Sequence, residues 1–93
     1  MKCDKIRFTQ HALRRMFERS IRPEDVRRVI EAGEVIEDYP DERPYPSALL
    51  LGNAGNRALH AVIAYDSTVG ECYVVTVYVP DTSMWSNDYR RRR

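Results

Sequence analysis

Two stretches decide how this chain is read: Arg57 to Asp66, RALHAVIAYD, and Cys72 to Val79, CYVVTVYV. Successive side chains of a β-strand alternate between its two faces. The first stretch then sends Leu59, Ala61, Ile63 and Tyr65 to one face and His60 to the other. The second groups Tyr73, Val75, Val77 and Val79, with Val74, Thr76 and Tyr78 opposite. If the apolar sets coincide in an antiparallel pair, His60 shares a face with Thr76 and Tyr78, with directly opposed Cβ atoms about 5 Å apart. The expectation is a small polar site on a sheet, and a slip of one residue would break it.

Working outward, the period changes to that of helices. Thr9 is a good N-cap for a helix over Gln10 to Arg19, with Leu13, Met16 and Phe17 as its apolar stripe, extended by Ala12. A second helix starts at Pro23, where the missing N–H costs nothing, and buries Val26, Val29 and Ile30. Gly33 reads as its left-handed C-terminal residue. Val35 to Tyr39 and Ser47 to Gly52 are strands, separated by the proline-rich loop PDERPYP. Ile6 and Phe8 suit a short opening strand, and Asp81 to Tyr89 a short C-terminal helix anchored by Trp85. The predicted fold is α+β: two N-terminal helices packed on one face of a small four-stranded antiparallel sheet. The run Val74-Val75-Thr76-Val77 belongs in an inner strand, since at an edge it would template aggregation.

The length of 93 residues predicts a single domain, 1–93, with Arg90 to Arg93 as a disordered basic tail. The start, MKCDKIRF, does not read as a signal peptide, and no apolar run is long enough to span a membrane. A cytoplasmic location is expected, with Cys3 and Cys72 as free thiols. The net charge of +1 hides a segregation. Residues 1–33 carry nine basic and five acidic side chains, a net of +4; residues 34–89 carry two and nine, a net of −7; the four terminal arginines restore balance. A basic helical half suits nucleic acid or an acidic protein partner, or is simply a solvated face.

Three groups of residues carry candidate chemistry. A histidine moves protons near neutral pH, and a tyrosine can donate to an oxyanion or orient a phosphate. His60 with Tyr78 therefore suits acid–base work, and Arg57, opening the same strand, could hold phosphate in a bidentate manner. That set fits metal-free RNA cleavage, in which the ribose 2′-hydroxyl is the nucleophile. His11 and Arg15, one helical turn apart, form a second polar cluster. The plainer alternative is that both histidines are structural. The two histidines and two cysteines lack metal-ligand spacing, and no phosphate loop or dinucleotide fingerprint is present, so neither metal nor cofactor is expected.

Five pieces, FTQHALRRMFERSI, PEDVRRVIEAGEVIEDYP, YPSALLLG, RALHAVIAYD and VVTVYVPDTSMW, resemble domain-of-unknown-function family 4258, near the RelE/ParE/BrnT toxin superfamily. The resemblance implies a RelE-like fold, with recurrent polar positions at His11, Arg15, Arg57, His60 and Tyr78. It implies a toxin-type protein, a metal-independent endoribonuclease of a toxin–antitoxin system. His60, Tyr78 and Arg57 would be catalytic, with His11, Arg15 and Thr76 in support. The implied partners are an antitoxin protein and RNA or the ribosome, with no membrane; a homodimer is also expected. The acidic sheet half departs from the basic sheet face of such nucleases. Two other readings stay open: a non-catalytic protein- or nucleic-acid-binding module, and a small-molecule enzyme with a His/Tyr acid–base site.

Overall fold

The computed structural model describes all residues, 1–93. Its elements are β1 (Lys5–Phe8), α1 (Gln10–Arg19), α2 (Pro23–Ala32), β2 (Glu34–Tyr39), β3 (Ser47–Ala54), β4 (Arg57–Asp66) and β5 (Glu71–Tyr78). Thr9 makes the first turn from strand to helix. Its hydroxyl oxygen accepts from the Ala12 amide at 3.1 Å, and its O–H lies 3.0 Å from the carbonyls of Val74 and Val75. One side chain thus caps α1 and ties it to β5.

The sheet has five strands in the order β1-β5-β4-β3-β2, which corrects the expected four. β1 runs parallel to β5, whereas the other pairs are antiparallel. Parallel pairing needs a long connection, and everything between β1 and β5 supplies it. β1 also covers the first half of β5's edge, so that the apolar β5 lies inside the sheet as expected.

Both helices pack on one sheet face. Ala12, Met16, Val26, Val29 and Ile30 meet Leu50, Leu59, Ala61, Ile63, Val74 and Val77 in one buried cluster. α1 does not bury its whole apolar stripe: Leu13 is 48% exposed and Phe17 88% exposed. Gly33 adopts an extended backbone rather than the left-handed one expected. Its reason is proximity, because a Cβ there would meet the Val29 carbonyl oxygen at 2.4 Å and that of Leu51 at 2.7 Å. Cys3 and Cys72 are joined by a disulfide, with Cα atoms 5.7 Å apart, and are not free thiols. The parallel β1–β5 pairing brings them together, and such a bond suits an oxidising environment better than the reducing one assumed from sequence.

The opposite face carries the candidate site, and its order comes from register. Glu34, Leu51, His60 and Tyr78 stand side by side across four strands; Glu37, Leu49, Val62 and Thr76 form the next row. A bulge at Ile36 keeps the two rows aligned, and a second, at Val75, lies outside them. The second bulge turns Val74 to the core and Tyr73 to the open face, the reverse of simple alternation.

Residues 81–93 form no helix, which corrects a second expectation; they make a string of turns closed by a Trp85–Arg92 bridge. Arg90 to Arg93, read as a disordered tail, are part of that unit. The physical reason is charge: Arg90 pairs with Glu34 and Arg92 with Glu37, so acidic side chains of β2 hold the basic end. No helix of the protein is long and apolar enough to cross a membrane.

Candidate functional site

His60 sits at the centre of the first transverse row and is 0% exposed. Its neighbours come from two elements. Tyr78, directly opposite on β5, places its hydroxyl 3.1 Å from Nδ1. Residues 81–93, here termed the strap, place the Tyr89 carbonyl oxygen 2.9 Å from Nε2 and the Trp85 indole edge-on at 4.5 Å between centroids. A carbonyl oxygen can only accept, so Nε2 carries the proton. Nδ1 is then the acceptor for the Tyr78 O–H. Both nitrogens are engaged, and burial favours this neutral form of the ring.

The electrostatics agree with that assignment. Burial pushes His60 below the ordinary histidine value, and Arg92 nearby pushes the same way, against the Tyr89 carbonyl and Glu37. Burial likewise raises the Tyr78 phenol. Glu37, in the next row, is held below the usual carboxylate range by hydrogen bonds from Tyr39 and then from Arg92. Arg92 reaches Glu37 through two nitrogens, at 3.0 and 3.2 Å, while its guanidinium lies 4.6 Å from the Trp85 ring centroid.

The structure brings together some of the residues expected to act jointly. His60 and Tyr78 meet on the predicted face. Thr76 shares their face two residues along β5, and its hydroxyl is 3.1 Å from Nε2 of His11 at the start of α1. Arg57 is elsewhere. Its strand position gives it the parity of Leu59 and Ala61, on the helix side. There it donates to the carbonyls of Arg19 and Ser20 at 2.8 and 3.0 Å, where α1 ends. The backbone of Ser20 is left-handed at that point, which turns those carbonyls toward Arg57. Arg15 is also outside the site, in a loose 3.6 Å pair with Glu18.

Sequence reasoning missed Trp85, Tyr89, Arg92 and Glu37 as parts of this arrangement. The sequence marks Trp85 as an anchor, but nothing local says that it anchors on His60. The one available signal was charge, since a basic end and an acidic sheet half attract. No three or more His, Cys, Asp or Glu side chains cluster as metal ligands would.

As arranged, the His60–Tyr78 pair can pass a proton only between its own two members, because the remaining imidazole nitrogen is occupied and covered. Any substrate chemistry at His60 requires the strap to leave.

No curated protein and no solved structure matches this chain. A family model does match, over the body that carries both helices and all of β2 to β5 but not the strap. From residue 8 to residue 79 the chain matches the family described as a domain of unknown function (DUF4258), and it belongs to that family.

Proposed function

We propose that this protein is a non-catalytic binding module on a RelE-like, toxin-type fold, and that its partner is an acidic protein. The observation that carries the reading is the enclosure of His60, which is 0% exposed with its Nε2–H committed to the Tyr89 carbonyl. A general acid or base needs a nitrogen within reach of substrate. The phosphate-binding role considered for Arg57 is also weakened, since its guanidinium serves the end of α1.

The contact surface is α1. Phe17 is 88% exposed and Leu13, one turn before it, 48% exposed. Arg14, Arg15 and Arg19 lie on the same helix, against a single acidic residue, Glu18. An exposed aromatic among guanidinium groups favours an acidic partner surface with an apolar centre.

The second reading is a metal-independent endoribonuclease of a toxin–antitoxin system. It is favoured by the 3.1 Å contact between His60 and Tyr78, with the His11–Thr76 pair beside it. One experiment separates the two. The full-length protein and its His60→Ala variant are incubated with RNA, with and without ribosomes, and expressed in growing cells. The binding reading expects no cleavage and no growth arrest from either protein. Cleavage or arrest by wild type that His60→Ala abolishes would establish the nuclease and overturn it. In parallel, an acidic protein co-purifying with wild type should be lost with Phe17→Asp; retention would remove α1 from the proposal.

A further inference from the structure

The strap is built as a separable body. Its five backbone hydrogen bonds, Met84 and Trp85 to Asp81, Ser86 to Arg91, Tyr89 to Ser86 and Arg93 to Met84, are all internal. None joins it to the sheet ladder. What docks it is side-chain chemistry: Trp85 on His60, the His60 Nε2–H to the Tyr89 carbonyl, and Arg90 and Arg92 on Glu34 and Glu37. Both ion pairs are partly exposed, and Arg92 and Glu37 keep 57% and 27% of their side-chain surface in solvent. Exposed pairs of this kind exchange readily with water and salt. Segments held by few buried contacts open first.

Beneath it lies a shaped surface. Two acidic side chains from β2, Glu34 and Glu37, rim one end, and the His60 imidazole floors the indole seat. The matched family region stops at residue 79, so it contains this groove and excludes its occupant. We propose that the groove is a binding site for arginine-rich protein segments bearing an aromatic anchor, and that the strap is its resident, displaceable occupant. The charge of the rim selects guanidinium groups, and the edge-on imidazole seat selects an aromatic ring beside them. Exchange of one occupant for another keeps the His60 Nε2–H covered, so the site is compatible with a non-catalytic module, and it is distinct from α1.

The test uses full-length protein and a fluorescein-labelled peptide of the strap sequence, DTSMWSNDYRRRR. Wild type should bind it weakly, because its own strap competes. A Trp85→Ala/Arg92→Ala variant should bind at least tenfold more tightly, and adding Glu37→Arg should remove the gain. Arg92→Ala alone, which leaves the indole in place, should give an intermediate gain and keeps the test decisive if the double variant misfolds. Equal affinity of all variants, or equal affinity for a scrambled peptide of the same composition, would overturn the site. A salt-sensitive wild-type dimer formed by exchanged straps would overturn the partner assignment in favour of a second copy.

Discussion

The indole of Trp85 meets the imidazole of His60 edge-on, with ring centroids 4.5 Å apart and planes at 87°. Both residues are shielded from solvent, at 3% and 0% exposure. The contact joins the last segment of the chain to the centre of the sheet. Edge-to-face geometry of this kind adds to simple area burial.

Trp85→Ala should therefore cost about 3 kcal/mol, the lower end for removing a large buried aromatic. Urea unfolding followed by circular dichroism reads this in full only if strap and body unfold together. Because Trp85 is the sole tryptophan, wild-type emission reports on the strap alone. Its red shift should precede the loss of helical signal if the strap opens before the body. A single coincident transition would mean that strap and body unfold together.

Acidification should loosen the fold through His60. Burial lowers the folded-state value, whereas an unfolded histidine takes up its proton near about pH 6.5. Between those two values the unfolded chain binds more protons, so stability is full above about pH 6.5 and falls as pH drops toward the folded value. Stability measured from pH 8 to 5 should hold level at first and begin to decline near about pH 6.5. His60→Gln should flatten that segment. Glu37 and Asp25, whose folded values are lowered, act in a separate and more acidic window, with their contributions lost as pH falls through those values.

Much of this arrangement could be read from the chain. Period-2 alternation placed His60 with Thr76 and Tyr78 because the bulge at Val75 lies upstream of both β5 residues and leaves their phase intact. The same bulge reverses the faces that alternation predicts for Val74 and Tyr73. A bulge adds one residue without any local marker, so alternation alone could not find it. The helical stripe predicted burial for Leu13 and Phe17. The sheet under α1 accepts only Ala12 and Met16, and helix periodicity does not tell how wide the covered face will be. Residue type alone points Arg57 toward phosphate. Its parity with Leu59 was already visible and would have sent it to the helix side. The strap was the least legible part, since its position rests on contacts between residues far apart in sequence, such as Arg92 with Glu37.

At the start of α2, Asp25 is a capping residue whose effect can be isolated. Its carboxylate accepts from the Arg22 amide at 2.9 Å and is 5% exposed. That backbone hydrogen bond is the main reason its value is lowered, against the opposing effect of burial. Asp25→Ala should cost about 1 kcal/mol, as loss of a helix-start interaction does. Asp25→Asn should recover part of this, because its amide oxygen can still accept. Chemical denaturation of the three proteins at neutral pH measures both differences.

Reduction should weaken the fold without rearranging the site. The Cys3–Cys72 bond closes a loop with a sequence separation of 69. Cross-links of this span stabilise by about 2–4 kcal/mol, chiefly by restricting the unfolded chain. The urea midpoint should fall on adding reductant. In Cys3→Ser, which lacks the bond, reductant should change nothing. An unchanged wild-type midpoint would show that the bond does not form in solution.

Arg57 offers the sharpest separation between a structural and a nucleic-acid-binding role. Its two donors satisfy carbonyls that the end of α1 leaves without helical partners, and its charge complements the negative end of the helix dipole. Arg57→Ala should therefore cost about 1–2 kcal/mol in denaturation, as loss of charged hydrogen bonds at a solvent-accessible site does. Arg57→Lys should recover only part, since a single ammonium cannot span both carbonyls with the geometry of a guanidinium. A residue that instead neutralised phosphate would reveal itself differently. Its loss would leave stability nearly unchanged and lower the salt dependence of any RNA binding by about one counterion. Measuring unfolding and the salt slope on the same variants distinguishes these roles. The contacts of Arg57 with Arg19 and Ser20 require the change to fall on stability.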